Sequence, residues 1–162
     1  ANYEEIVYEG YGPGGVAIIV EATTDNKNRT AADVRHIFDK FGGNLGTTGC
    51  VSYMFEKKGV IVIEKSSTSL SEDDLMLLAL DNGAENLESE EEFYEITSAP
   101  EDFSTLSQAL EENGIAFLEA DVKMVPNNYV ALDENGTRKM ELILEKLDEL
   151  DDVIDVYHNW DE

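Results

Sequence analysis

Apolar positions recur along this chain with two periods. Val34, Ile37, Phe38 and Phe41 stand at i, i+3, i+4 and i+7, the spacing that lines one face of a helix. Thr30 with Asp33 three residues on reads as a capping box for that helix, and Gly42-Gly43 as its stop. Ser71 with Asp74 opens a second helix through Leu75, Leu78 and Ala79, ending near Gly83. Pro100 suits the first turn of a third, with Phe103, Leu106 and Leu110 inward and Gly114 beyond it. Met140, Ile143, Leu144, Leu147 and Leu150 share the face of a fourth, after an expected Asn135-Gly136 turn.

Between the helices the pattern changes. Residues 16–20 and 60–63 are unbroken apolar runs, expected of central strands buried on both faces. Strands are also expected at 6–8, 51–55, 93–96, 117–125, 129–132 and 153–157, with a weaker one at 86–88. From 59 to 125 the order is β-α-β-β-α-β, the split βαβ plan. The remainder repeats that plan after one extra strand. The fold class read from this order is α+β, with two ferredoxin-like units, the second inserted into the first. The expected domains are 1–56 plus 126–162, and 57–125. A short echo accompanies this: Gly15-Val16-Ala17-Ile18-Ile19-Val20-Glu21 resembles Gly59-Val60-Ile61-Val62-Ile63-Glu64, and each leads through a helix to Asn-Leu.

Charge changes the picture more than composition does. The 162 residues carry 36 acidic and 11 basic side chains, a formal net charge of −25. With 42% hydrophobic residues the chain is nonetheless composed like a globular protein. No apolar run approaches the ~20 residues of a membrane span, so no membrane partner is expected. Residues 66–122 hold no Lys or Arg, which suits a basic partner better than a polyanion. Residues 26–65 reverse the balance: Lys27, Arg29, Arg35, Lys40, Lys57, Lys58 and Lys65 face Asp33, Asp39, Glu56 and Glu64, a net of 7 − 4 = +3. These side chains read equally as ordinary solvated surface, yet this is the stretch where a polyanion is tolerated.

Candidate chemistry is sparse. Gly10-Tyr11-Gly12-Pro13-Gly14-Gly15 spells G-x-G-x-x-G, but a strand follows it instead of a phosphate-binding helix N-terminus, so it reads as a strand-to-strand turn and a possible contact surface. The glycine-rich 41–49 segment is a helix stop and loop whose amides could also hold an anion. His36 and Asp39, one helical turn apart, suit a surface ion pair. Cys50, the single cysteine, excludes an internal disulfide and a thiolate cage, and reads as a small half-buried side chain. The acidic runs 90–92 and 148–152 lack the ligand alternation of a calcium loop. No catalytic constellation, metal or cofactor is expected.

The segments Tyr8-Glu9-Gly10-Tyr11-Gly12-Pro13-Gly14-Gly15-Val16-Ala17, Thr24-Asp25-Asn26-Lys27-Asn28-Arg29-Thr30 and Gly42-Gly43-Asn44-Leu45-Gly46 closely resemble the YebC/PmpR family. So do Met124-Val125-Pro126 and the closing Val156-Tyr157-His158-Asn159. The resemblance spans nearly the whole chain. It implies a basic helical N-terminal domain followed by two α+β domains, the third inserted in the second, and a chain that opens just before the second domain without the helical one. It implies a non-enzymatic, DNA-binding transcriptional regulator. The alternative it implies is a ribosome-associated translation factor or translational activator acting through RNA and ribosomal proteins. The location implied is the bacterial cytoplasm, or the mitochondrial matrix in a eukaryote. The residues expected to contact nucleic acid are Lys27, Arg29, Arg35, His36, Lys40 and Asn44. DNA or RNA is expected to bind weakly to this stretch alone, with the ribosome or basic proteins meeting the acidic insert.

Overall fold

The computed structural model describes residues 2–162. The chain divides into two compact units, Ala1–Glu56 with Pro126–Glu162, and Lys57–Val125. Both are α+β, and together they hold two four-stranded sheets and four α-helices among the described residues.

The discontinuous unit begins with a hairpin of β1 (Glu4–Tyr11) and β2 (Ala17–Thr24). Next come α1 (Lys27–Lys40) and the two-residue β3 (Asn44–Leu45). After the insert, α4 (Glu134–Asp148) and β8 (Val153–His158) complete it. The strand order is β3-β1-β2-β8. Both β2 and β3 run antiparallel to β1, so they are parallel to each other with β1 between them. The strand expected to be an extra one is therefore the middle of a split βαβ. The 129–132 stretch, expected as a strand, makes a single bridge, Val130 to Trp160. One sheet face carries Tyr8, Ile18, Val20 and Ala22 against Val34, Ile37 and Phe38 of α1 and Met140, Ile143 and Leu147 of α4. Phe38, Ile18 and Met140 are fully buried, and apolar burial of this kind stabilises by roughly 1.5–3 kcal/mol per large side chain.

The inserted unit runs β4 (Phe55–Glu64), α2 (Glu72–Asp81), β5 (Ala84–Ser89), β6 (Phe93–Ser98), α3 (Phe103–Glu112) and β7 (Glu119–Pro126). Its order, β5-β6-β4-β7, is the ferredoxin-like arrangement. Ile61, Ile63 and Ile96 pack on Leu75, Ala79, Leu106 and Leu110. The sequence echo has a structural basis: β2-α1-β3 and β4-α2-β5 are equivalent crossovers. In one unit the intervening strand precedes the crossover (β1); in the other it follows (β6).

Three local expectations are corrected. Helix α1 starts earlier than Thr30: Asn26 is the cap, its side-chain oxygen accepting from Arg29 N at 3.1 Å, and Thr30 lies buried within the helix. Asn135 and Gly136 belong to the first turn of α4, where Asp133 Oδ1 accepts from Gly136 N at 2.7 Å. Residues 51–55 form no strand of their own. A 3-10 turn, Ser52–Met54, leads directly into β4. The Ser71 cap of α2 stands as expected, accepting from Asp74 N.

Candidate nucleic-acid interface

Helix α1 carries five of the six residues expected to meet nucleic acid. Val34, Ile37 and Phe38 turn its apolar face to the sheet, which leaves Arg35, His36 and Lys40 exposed. Helical spacing stacks Arg29, His36 and Lys40 along one flank of the exposed face, with Asp33 among them, and sets Arg35 on the other flank of that same face. Asn44 is also exposed, on the edge strand β3 that follows the helix.

The geometry separates these cations into two groups. Lys27 Nζ pairs with Glu4 at 3.0 Å. Arg29 Nη2 lies 3.1 Å from Asp25 and 2.9 Å from Asp152. Asp152 Oδ2 is also 2.8 Å from the Thr30 hydroxyl and 3.2 Å from that of Thr24. The Thr30 and Arg29 hydrogen bonds outweigh desolvation and hold the Asp152 carboxyl below its usual range. The adjoining open hollow, about 370 Å³, is lined by Arg29, Thr30, Asp33, Glu149, Leu150, Asp151 and Asp152. Four carboxylates against one guanidinium make it a poor seat for an anion. Arg35 makes no ion pair among the described residues, and Lys40 Nζ rests 5.5 Å from the centre of the Phe41 ring. Lys58, in the other unit, pairs with Glu85 at 2.8 Å. The expected ion pair between His36 and Asp39 is not formed.

The two glycine-rich segments serve packing. A Cβ on Gly10 would stand 2.7 Å from Asn44 O and 2.9 Å from Phe38 Cε2, and one on Gly43 would stand 2.5 Å from Tyr11 O. These glycines let β1 and the α1–β3 connection touch. Gly14 and Gly15 take positive φ, 66° and 84°, in the turn that Pro13 begins and Gly12 closes onto Val16 O. Strand β2 follows, so the G-x-G-x-x-G letters offer no helix N-terminus to a phosphate.

Amides of the loop after β3 do hold an anion, but it is the protein's own. Glu9 is 4% exposed. Its Oε2 accepts from Gly49 N at 2.7 Å, and its Oε1 from Val51 N at 3.1 Å and Ser52 N at 2.7 Å. Burial pushes the Glu9 carboxyl up, yet the bonds from Gly49, Ser52 and Val51 together prevail and hold it low. Within 41–49 the Gly43, Gly46 and Gly49 amides are thus already engaged by Phe38 O, Glu9 O and Glu9 Oε2. Residue patterns missed this lock because Glu9 sits on an exposed-looking strand 40 residues away. Cys50, in the same loop, is half-buried, and burial with the neighbouring Glu9 raises its thiol.

Residues 3–160 match the family model described as the TACO1/YebC second and third domain. This chain belongs to the TACO1/YebC family. A "Probable transcriptional regulatory protein" of Acetivibrio thermocellus is 62% identical over 160 residues, covering 98% of this chain and 66% of that protein. The "Probable transcriptional regulatory protein ORF2U" of Hathewaya histolytica is 57% identical over 158 residues, 98% of this chain and 64% of that one. The crystal structure of the conserved hypothetical protein Aq1575 from Aquifex aeolicus superposes with a TM-score of 0.83 at 44% identity, over 98% of this chain and 65% of its own. The chain thus spans about two thirds of the length of the relatives it matches. Members of the family carry regulatory names, not enzymatic ones. No helix among the described residues is long and apolar enough to cross a membrane.

Proposed function

We propose that this chain is the two-domain α+β part of a DNA-binding regulator of gene expression, acting without catalysis. Arg35, His36 and Lys40 make the contact from α1, with Asn44 beside them. The observation that carries this is the pair Arg35 and Lys40: exposed cations without an ion-pair partner on the helix of a chain whose net charge is −25. The names of the relatives in Acetivibrio and Hathewaya support the regulatory role. Lys27 and Arg29 are charge-compensated, so their part is to fix the start of α1. The chain's overall charge opposes phosphate, so affinity is low and falls with salt. Duplex DNA titrated at low ionic strength against wild type, Arg35→Ala and Lys40→Ala tests the reading; equal affinity in all three would refute it.

A second reading has one observation of its own. The inserted unit lines up Glu88 and Glu95 as direct cross-strand partners, in a stretch without Lys or Arg from 66 to 122. That sheet would meet basic proteins, as on a ribosome. Co-sedimentation with ribosomes after nuclease treatment of DNA would favour it, and absence from that fraction would remove it.

A further inference from the structure

The loop over residues 46–54 is held far more firmly than its exposed side chains require. Glu9 bonds three of its amides, Gly46 N donates to Glu9 O at 2.8 Å, and the Tyr11 hydroxyl reaches Cys50 O at 3.4 Å. A Cβ on Gly46 would lie 2.7 Å from Cys50 Sγ, so the turn has no slack. Val51 is the loop's one fully buried side chain. Thr47, Thr48 and Tyr53 face solvent, and Tyr53, 72% exposed, sits on the 3-10 turn whose first amide Glu9 holds. An aromatic ring on a backbone already ordered has little entropy left to lose on binding.

We infer that Tyr53 is a stacking platform for an unpaired base of a single-stranded nucleic acid, with the Thr47 and Thr48 hydroxyls beside it. This rests on the reading of the chain as a nucleic-acid-binding regulator and names a different contact for it. The 46–54 segment has no charged side chain, so it offers phosphate nothing. Stacking contributes base by base without a phosphate contact, so it adds affinity where the net charge of −25 leaves phosphate contacts weak. A ring on a protruding turn meets the face of a base only when that base is unpaired. The buried Glu9 carboxylate supplies the rigidity of the backbone, and the exposed Tyr53 ring, whose hydroxyl is hydrogen-bonded with that of Tyr11, supplies the contact.

The test titrates the chain with a short unstructured oligoribonucleotide carrying 2-aminopurine, and with an abasic oligomer of equal length. Wild type is expected to quench the 2-aminopurine and to bind the abasic oligomer far more weakly. Tyr53→Ala is expected to lower affinity for the base-bearing oligomer by roughly five- to a hundredfold. Tyr53→Phe keeps it, because the ring remains. Glu9→Gln, with Tyr53 intact, loses part of it by loosening the turn. Equal affinity of wild type and Tyr53→Ala, equal affinity for the abasic oligomer, or no quenching at low salt would each overturn the assignment. Failure of the two proposals is separable. If Arg35→Ala weakens duplex binding while Tyr53→Ala changes nothing, stacking fails and the helix reading stands. If Tyr53→Ala abolishes base-dependent binding while Arg35→Ala and Lys40→Ala leave duplex binding unchanged, the helix reading fails and stacking stands.

Discussion

Glu9 commits both carboxylate oxygens to the backbone of a loop 40 residues further along the chain. Hydrogen bonds to a buried charge are strong, and the amides left behind by its removal have no other partner. Glu9→Gln should cost about 2–3 kcal/mol at neutral pH, read from urea midpoints. The pH dependence has a definite sign. A carboxyl held low in the folded state stabilises fully above the ordinary carboxylate range, and that contribution is lost as pH falls through the folded value. Wild type should therefore lose stability in acid more steeply than Glu9→Gln, the two converging at low pH. Tyr8 presents the opposite case. Its hydroxyl is buried with no hydrogen-bond partner among the described residues. Tyr8→Phe should leave stability unchanged or raise it by up to about 1 kcal/mol, since a buried polar group without a partner costs free energy.

Elements inherit these local bargains. Gly10→Ala would drive a Cβ into the Asn44 carbonyl and the Phe38 ring. It should destabilise by about 1–3 kcal/mol through overpacking at the β1–β3 contact, seen as a lower thermal midpoint. On β6, burial, then Glu88, raise the Glu95 carboxyl, with Lys123 opposing. The folded state holds that proton longer than the unfolded chain does, so its contribution to stability falls as pH rises. Glu95→Gln should stabilise at neutral pH by up to about 1 kcal/mol, the scale of a like-charge cross-strand pair. Helix faces and central strands were legible in the sequence because their periods report burial directly: Val34, Ile37 and Phe38 do pack inward, as do Val60, Ile61 and Ile63, while Val62 is only half-buried. The start of α1 was not, because Thr30 matches the cap pattern while its hydroxyl serves Asp152, 122 residues away. The 129–132 stretch has strand-like residues, but β1 already occupies the place beside β2 that a strand there would take. The candidate site was half legible: sequence identifies the cations, and only the fold shows that Glu4, Asp25 and Asp152 consume Lys27 and Arg29.

For the whole molecule, two sheets with one spatial order arise from different chain orders, and the nested domains leave the charge unevenly divided. Residues 66–122 of the insert hold no Lys or Arg, and α1 presents Arg35 and Lys40 as exposed cations without an ion pair among the described residues. The claim that this helix meets DNA has one direct measurement: duplex binding across a salt series from low ionic strength, for wild type, Arg29→Ala, Arg35→Ala and Lys40→Ala. Log affinity should fall linearly with log salt concentration, and Arg35→Ala and Lys40→Ala should each reduce the slope by about 1. Arg29→Ala should leave the slope unchanged, because Asp25 and Asp152 already hold its charge. A slope indifferent to Arg35 and Lys40, or one that depends on Arg29 instead, would contradict the account.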